Sequence, residues 1–169
     1  MGSNTNQGSV DMQAQLRGLM DRAEIADIMK RYAQGIKKND SKLVASCFTD
    51  DARLESNGQS LVGAREIEDY YSGWFASTAT GGGGFGMNRV MSTPYMANDA
   101  EIQLNGDTAT AESSGLAVHA GTRNDAGLVV VRGAFYIDEF VRTPQGWRIS
   151  KRFHGNHWVS EFPARILTK

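Results

Sequence analysis

His119 is the side chain of this sequence best suited to moving a proton at neutral pH. It follows a run of small residues, Ser113 to Val118, which would leave space on one face of a strand. An imidazole, with an ordinary pKa of about 6.5, can act as a general acid or a general base. We therefore take His119 as the first candidate for acid–base catalysis. The alternative is a structural histidine or one at the rim of a pocket.

Lys37 is a second candidate for catalysis. On a helix it would lie near Ala33 and Met29, about a third of a turn from the apolar stripe. An amine that is desolvated in a cavity has a lowered pKa, which suits a general base or a Schiff-base amine. The alternative, which we favour, is a lysine at the helix end that reaches water and interacts with the C-terminal end of the helix dipole.

The other two histidines do not form a metal site. His154 and His157 stand three residues apart in a predicted strand, so they point to opposite faces and at most one of them can face a cavity. No carboxylate sits beside them in the pattern of a facial triad. We expect no metal, and we keep His154 as a candidate substrate-binding residue.

The segment from Leu128 to Val141 alternates two sets of side chains. One set is uniformly apolar and predicts a packed face: Val129, Val131, Gly133, Phe135 and Ile137. The other set brings Arg132 and Tyr136 together. They would lie on an oligomer interface or act as an anion-stabilising, substrate-binding pair in the cavity, and for Arg132 the surface or interface position is favoured.

Two helices are predicted before the first strand. Ile25, Ile28, Met29, Tyr32 and Ile36 fall on one stripe of a helix from Met12 to about Lys38, bent or split near Gly18 with Asp21 as a cap. The stretch Asn39-Asp40-Ser41 breaks this pattern and can cap a second helix. That second helix carries Leu43, Val44, Cys47 and Phe48.

A third helix has the strongest amphipathic pattern. After Gly63, the apolar residues recur at i, i+3, i+4, i+7 and i+8: Ile67, Tyr70, Tyr71, Trp74 and Phe75. Such an aromatic face suits a helix laid across a sheet, and it could also line the mouth of an apolar cavity. Tyr70, Trp74 and Phe75 are therefore candidate substrate-binding residues.

The rest of the chain is predicted to be strand. Asn57-Gly58 is a hairpin turn, and further turns separate strands at about 88–96, 100–104, 108–121, 128–142 and 146–159 in a sequential antiparallel meander. Four consecutive glycines within Ser77 to Gly86 favour a mobile loop or lid, since no phosphate-loop motif is present. The predicted fold is α+β, with three N-terminal helices across the concave face of a strongly curved, mostly antiparallel sheet.

Composition limits the classes of function. The 169 residues fit one domain, taken as 12–162 after a disordered leader (1–11) and before a C-terminal tail (163–169). Lys and Arg number 18 against 19 Asp and Glu, without a basic block, so neither nucleic acid nor a membrane surface is an expected partner. The single cysteine, Cys47, is expected in the core. With no secretory signal and no apolar run of about 20 residues, we expect a soluble cytoplasmic protein.

Several stretches together resemble a known family. They are DRAEIADIMKRYAQGIKKND, FTDDARLES, VGAREIEDYY, IQLNGDTATAES and GAFYIDEFVRTPQGWRISKR. In order and spacing they resemble the SnoaL-like branch of the nuclear transport factor 2-like superfamily, in particular the group with lindane dehydrochlorinase, bile-acid dehydratase and scytalone dehydratase. The resemblance implies a cone-shaped α+β barrel with an apolar pocket, often in homodimers or homotrimers. It also implies cofactor-free eliminations, isomerisations, epoxide openings or cyclisations of small hydrophobic molecules.

The resemblance fails at the residues that carry catalysis in the dehydratase-like members. There an Asp near the end of the first helix pairs with a His on a central strand as acid and base. Tyr32 and Ala33 match that helix motif, but Lys37 occupies the Asp position and Pro94 the His position. Tyr32 lies on the buried stripe, where it either packs in the core or binds and polarises a substrate oxygen, as in other pockets of the family.

Two functions follow from the sequence. The first is a cofactor-independent lyase or isomerase for a small hydrophobic molecule such as a polyketide, terpenoid or steroid-like compound, with His119, Tyr32 and Lys37 in the acid and base roles. The second is a non-catalytic small-molecule-binding or assembly domain that has lost the Asp/His dyad. The first is favoured because three polar groups remain from which a site can be built.

Overall fold

A computed structural model describes residues 4–79, 85–96 and 100–167. Three helices precede most of the sheet: α1 (Asn4–Lys38), α2 (Ser41–Ala45) and α3 (Ala64–Ala79). The strands are β1 (Phe48–Ser56), β2 (Gln59–Val62), β3 (Asn88–Met96), β4 (Glu101–Asn105), β5 (Thr108–Arg123), β6 (Ala126–Thr143) and β7 (Gly146–Pro163). The predicted α+β class with three helices on a curved sheet is confirmed.

The first helix is continuous rather than split near Gly18. Asp21 does not cap it; its carboxylate instead accepts hydrogen bonds from Arg142 (2.7 Å) and from the indole of Trp147 (3.2 Å). The helix also begins at Asn4, inside the stretch for which the sequence favours a leader. Its predicted apolar stripe is buried throughout.

The second helix is shorter than predicted. Asn39 adopts a positive φ of 55°, and the carboxylate of Asp40 accepts a hydrogen bond from the backbone N–H of Leu43 (2.9 Å), so the cap forms as expected. The helix ends at Ala45, and Phe48 already begins β1. Cys47 is fully buried, as predicted, and burial raises the pKa of its thiol to about 11.

The sheet is curved but not closed, and its topology is only partly a meander. Its order is β2-β1-β7-β6-β5-β3, with β4 also paired to β5. The hairpin turn at Asn57-Gly58 (φ 52° and 77°) is confirmed, and β5, β6 and β7 follow one another antiparallel. However, β1 joins β7 in parallel, and β3 pairs with β5 rather than with β4. Long-range pairings of this kind are not encoded in local turn signals.

The face of β6 that was predicted to pack is the outer one. Val130, Ala134 and Phe140 are buried beneath the helices together with Arg132 and Tyr136, whereas Ile137 of the other set is 47% exposed. The prediction failed because the concave face is not purely apolar: it carries the polar groups of the cavity, and apolar side chains remain on the outside.

No helix within 4–79, 85–96 and 100–167 is both long enough and apolar enough to cross a membrane. The glycine-rich segment proposed as a lid includes residues 80–84, which lie outside the described residues.

Candidate functional site

A cavity lies between the helices and the concave face of the sheet. Its empty volume, with its mouth included, is about 420 Å³. It is narrow and admits little more than a water molecule unless side chains move. It is lined by Tyr32, Ile36, Ser56, Asn57, Tyr70, Tyr71, Trp74, Ser92, Pro94, Ala117, His119, Arg132, Tyr136 and His154.

Most of the residues singled out from the sequence meet in this cavity, and two do not. The lining includes His119, Tyr32, Arg132, Tyr136, His154, Tyr70 and Trp74. Phe75 is buried instead against Tyr71 and Trp74, with ring centroids 5.9 and 5.4 Å away.

Lys37 does not point into the cavity, so its candidacy as a catalytic residue is corrected and the favoured alternative, a lysine at the helix end, is confirmed. Its side chain is exposed at the last turn of α1, where water solvates the ammonium and the helix dipole favours a positive charge. For Arg132 the sequence favoured a surface or interface position, and the structure places the side chain inside instead. It is only 9% exposed and lines the cavity, so a surface location is excluded.

The wall formed by β3 and β5 holds His119. Ser92 stands directly opposite His119 in the strand pairing, and its hydroxyl is 3.0 Å from Nδ1 of the imidazole. The ring is 1% exposed and lies between Trp74 and Phe85, with centroid distances of 6.1 and 5.2 Å. Hydrogen bonding and packing therefore fix the orientation of the imidazole.

The same wall shows why this protein cannot form the Asp/His dyad of the dehydratase-like members. Pro94 lies two residues beyond Ser92 on β3, so both side chains face the cavity. The expected histidine position is thus occupied by a proline, and an imidazole is supplied from the neighbouring strand β5 instead. The expected aspartate position is the exposed Lys37.

A second serine–histidine pair lies on β1 and β7. Ser56 is aligned with His154, and its hydroxyl is 3.1 Å from Nδ1. The imidazole stacks on Tyr136 with centroids 4.8 Å apart. Burial, together with the positive charges of Arg132 and Arg152, lowers the pKa of His154 to about 3, so this ring is neutral at pH 7. His157 is exposed and stacks on Phe135 instead (4.4 Å).

A buried ion pair lies behind two tyrosines of the cavity lining, Tyr32 and Tyr136. Arg152 donates two hydrogen bonds of 2.7 Å to the carboxylate of Asp138, and neither side chain has any exposed surface. The guanidinium lies 4.2 Å from the ring centre of Tyr32 and 4.8 Å from that of Tyr136. Burial opposes the charge of Arg152, but Asp138 more than offsets it and raises the pKa of the guanidinium.

Tyr32 forms part of a hydrogen-bonded tyrosine pair. Its hydroxyl is 2.5 Å from that of Tyr71, and the two rings meet edge to face at 6.1 Å. Burial raises the pKa of both phenols, so they are uncharged hydrogen-bonding groups at neutral pH.

Sequence reasoning missed both serine partners and the ion pair. Ser56 and Ser92 carry no signal until strand pairing is known. Asp138 did carry one, because it continues the alternation that contains Arg132 and Tyr136, and a charge in the inward phase of a strand is costly unless it is paired. Within the described ranges, no cluster of three or more His, Cys, Asp or Glu residues could hold a metal ion.

An open, curved sheet with three helices across its concave face and a central cavity defines a nuclear transport factor 2-like domain. The chain belongs to the SnoaL-like domain family, which matches residues 17–153. An uncharacterised protein of Mycobacterium tuberculosis (strain H37Rv) is 27% identical over 136 residues, covering 79% of this chain and 84% of the relative.

Solved structures show the same fold. The chain is similar to a hexachlorocyclohexane dehydrochlorinase (TM-score 0.75, 18% identity, 92% of this chain and 97% of the other). It is also similar to a nuclear transport factor 2-like protein with a cystatin-like fold from Novosphingobium aromaticivorans (TM-score 0.70, 22% identity, 88% and 89%). At these identities the likeness concerns the fold alone.

Proposed function

We propose that the protein is a cofactor-independent lyase or isomerase that transfers a proton within a small, largely apolar molecule bound in the central cavity. The observation that carries the proposal is the buried His119, held through Nδ1 by Ser92 in a cavity that no carboxylate lines among the described residues. Among the described lining residues, the imidazole is the side chain whose chemistry suits both removal and return of a proton.

The reaction begins with proton removal from a carbon next to a carbonyl or an unsaturated centre. Nδ1 is bonded to Ser92, so we assign the proton transfer to Nε2. The imidazolium that forms returns the proton to another carbon in an isomerisation. In a dehydration it protonates the departing hydroxyl group, a C=C bond forms and water leaves. The paired hydroxyls of Tyr32 and Tyr71 supply neutral hydrogen bonds to a substrate oxygen.

The family and one structural neighbour support this class of chemistry. SnoaL-like domains include the dehydratase-like group, and the dehydrochlorinase neighbour is an elimination enzyme by its name. His119 on β5 supplies an imidazole beside the β3 position where Pro94 replaces the expected histidine, which supports a proton-transfer role for this wall of the cavity.

Deuterium exchange tests the proposal without a known substrate. A panel of small cyclic ketones, enones and β-hydroxy ketones, with and without a carboxylate group, is incubated with the protein in D2O, and label incorporation or loss of water is followed by mass spectrometry. We expect at least one compound to react, and His119→Asn to lower its rate about 10²- to 10⁴-fold because the acid–base group is lost. His157→Asn, an exposed histidine on β7, is the matched control and should react at the wild-type rate.

Pro94 favours one alternative, a small-molecule-binding domain without catalysis, because the family's catalytic histidine position is lost. Tight binding of panel compounds with neither exchange nor elimination, unchanged in His119→Asn, would support this alternative and contradict the enzyme.

A further inference from the structure

Arg132 is a buried cation without a counter-ion in the described part of the chain. The ion pairs among the described residues use Lys30, Arg123, Arg142, Lys151 and Arg152, and none of them includes Arg132. Its Nε makes no hydrogen bond there, although the side chain is only 9% exposed. Its aromatic neighbour is Phe85, whose ring centre is 5.7 Å from the guanidinium carbon.

Among the described residues, the cavity around this guanidinium has a positive charge and no negative charge to neutralise it. The described lining contains tyrosines, serines, two histidines and Arg132, but neither Asp nor Glu. Asp138, the buried carboxylate on the same strand, is already bonded twice by Arg152. A buried charge without a partner is strongly unfavourable, so a ligand that brings the missing negative charge gains from it.

We infer that the cavity binds a small organic acid, whose carboxylate pairs with Arg132 while its apolar body lies among the aromatic rings that line the cavity. A guanidinium presents parallel N–H donors that match the two oxygens of a carboxylate. The neutral imidazole of His154 lies in the same lining, with Nε2 buried and without a hydrogen-bond partner among the described residues, so it can donate to or accept from the same ligand. Phe85 and Trp74 flank His119 and supply apolar contacts.

The inference rests on the proposed function only in placing the substrate in this cavity. It adds that the substrate class is acidic rather than neutral, and that Arg132 determines this specificity.

A pair of isosteric probes tests it. Benzoate and benzamide have nearly the same shape and differ in charge, so their dissociation constants measure the preference for an acid. Binding is followed by the NMR shift of the Trp74 indole, with Trp158, a half-exposed residue outside the cavity lining, as an internal reference. We expect wild-type protein to bind benzoate at least tenfold more tightly than benzamide, and acetate much more weakly than benzoate.

Two variants localise the preference. Arg132→Gln should bring benzoate to the affinity of benzamide and leave benzamide within twofold of its wild-type value. Arg53→Gln removes the same charge from an exposed position on β1 and should keep the preference. Equal binding of acid and amide by the wild type, or a preference that survives Arg132→Gln, would overturn the inference. If acetate bound as tightly as benzoate, the aromatic rings would not contribute to binding, and the site would be one for any small anion rather than for an organic acid with an apolar body.

Comparison of the wild type with His119→Asn separates this inference from the proposed function. A wild-type protein that prefers benzoate but turns over none of the panel compounds supports the acid site and rejects the enzyme. Turnover that depends on His119 without any preference for the acid keeps the enzyme and rejects the acid site.

Discussion

Arg132 and Arg152 are both buried on the concave side of the sheet, yet their surroundings are opposite. Arg152 is fully enclosed, bonded twice to Asp138 and packed between two tyrosine rings. Arg132 has no carboxylate partner in the described ranges and lines the cavity. The charge of Arg152 is thus compensated within the fold, whereas the inference above leaves the charge of Arg132 to be compensated by a ligand. Unsatisfied buried charge of this kind is typical of functional sites.

The largest effect on stability is expected at the paired arginine. Asp138→Asn leaves the charge of Arg152 buried and uncompensated, which should lower the free energy of unfolding by about 3–5 kcal/mol. Urea denaturation at pH 7 measures it. The matched control is Glu139→Gln, the adjacent exposed residue whose ion pair with Lys151 spans 3.6 Å and should contribute less than about 1 kcal/mol. Equal losses of unfolding free energy in the two variants would contradict the claim that Asp138 compensates a buried charge.

Arg132→Gln tests the contrast between the paired Arg152 and the unpaired Arg132. No ion pair within the described residues is broken and an unpaired buried charge is removed, so the free energy of unfolding should equal or exceed the wild-type value while binding of acids is lost. A loss as large as that of Asp138→Asn would mean that Arg132 also has a mainly structural role.

His154 should make stability depend on pH. Its pKa is lowered to about 3 in the folded protein, whereas in the unfolded chain it is about 6.5, so below pH 6.5 the unfolded state binds the extra proton and is favoured. Stability is complete above pH 6.5 and falls as the pH decreases towards 3, by about 2 kcal/mol at pH 5. His154→Asn should remove this contribution to the pH dependence of the unfolding free energy, and His157→Asn should retain it. The variants are compared by denaturation at pH 7 and pH 5, and identical slopes in wild type and His154→Asn would contradict the burial argument.

A moderate loss of stability is expected at the tyrosine pair. Tyr71→Phe removes the hydroxyl that lies 2.5 Å from that of Tyr32 and leaves a buried phenol without this partner, at a cost of about 1–2 kcal/mol. Tyr70→Phe is the neighbouring control, because the hydroxyl of Tyr70 accepts only a long bond (3.4 Å) from Asn57. Thermal denaturation should separate the two variants, and a more stable Tyr71→Phe would show that the pair is not stabilising.

The fold was largely predictable because its signals are local. The stripe of α1, the aromatic face of α3 and the Asn57-Gly58 turn each depend on a few neighbouring residues, and all three are confirmed. The pairing of β1 with β7 and of β3 with β5 joins residues far apart in sequence, so no local pattern could indicate it.

The site was predictable in its residues but not in its geometry. His119 and Tyr32 were singled out by type and position, and both line the cavity. Lys37 was listed as a catalytic candidate, but its exposed position at the helix end agrees with the alternative that the sequence favoured. Arg132 was placed outside because the apolar set of β6 was taken to be the inner one, although a cavity that holds polar groups reverses that expectation.

A crystal structure with benzoate bound tests the central claim most directly, since it shows whether acid binding and proton transfer share one site. We predict a carboxylate oxygen about 2.8–3.0 Å from the guanidinium of Arg132 and the ring within about 3.5 Å of the imidazole of His119. Benzoate bound outside the cavity, or inside it with its carboxylate turned away from Arg132, would contradict the account.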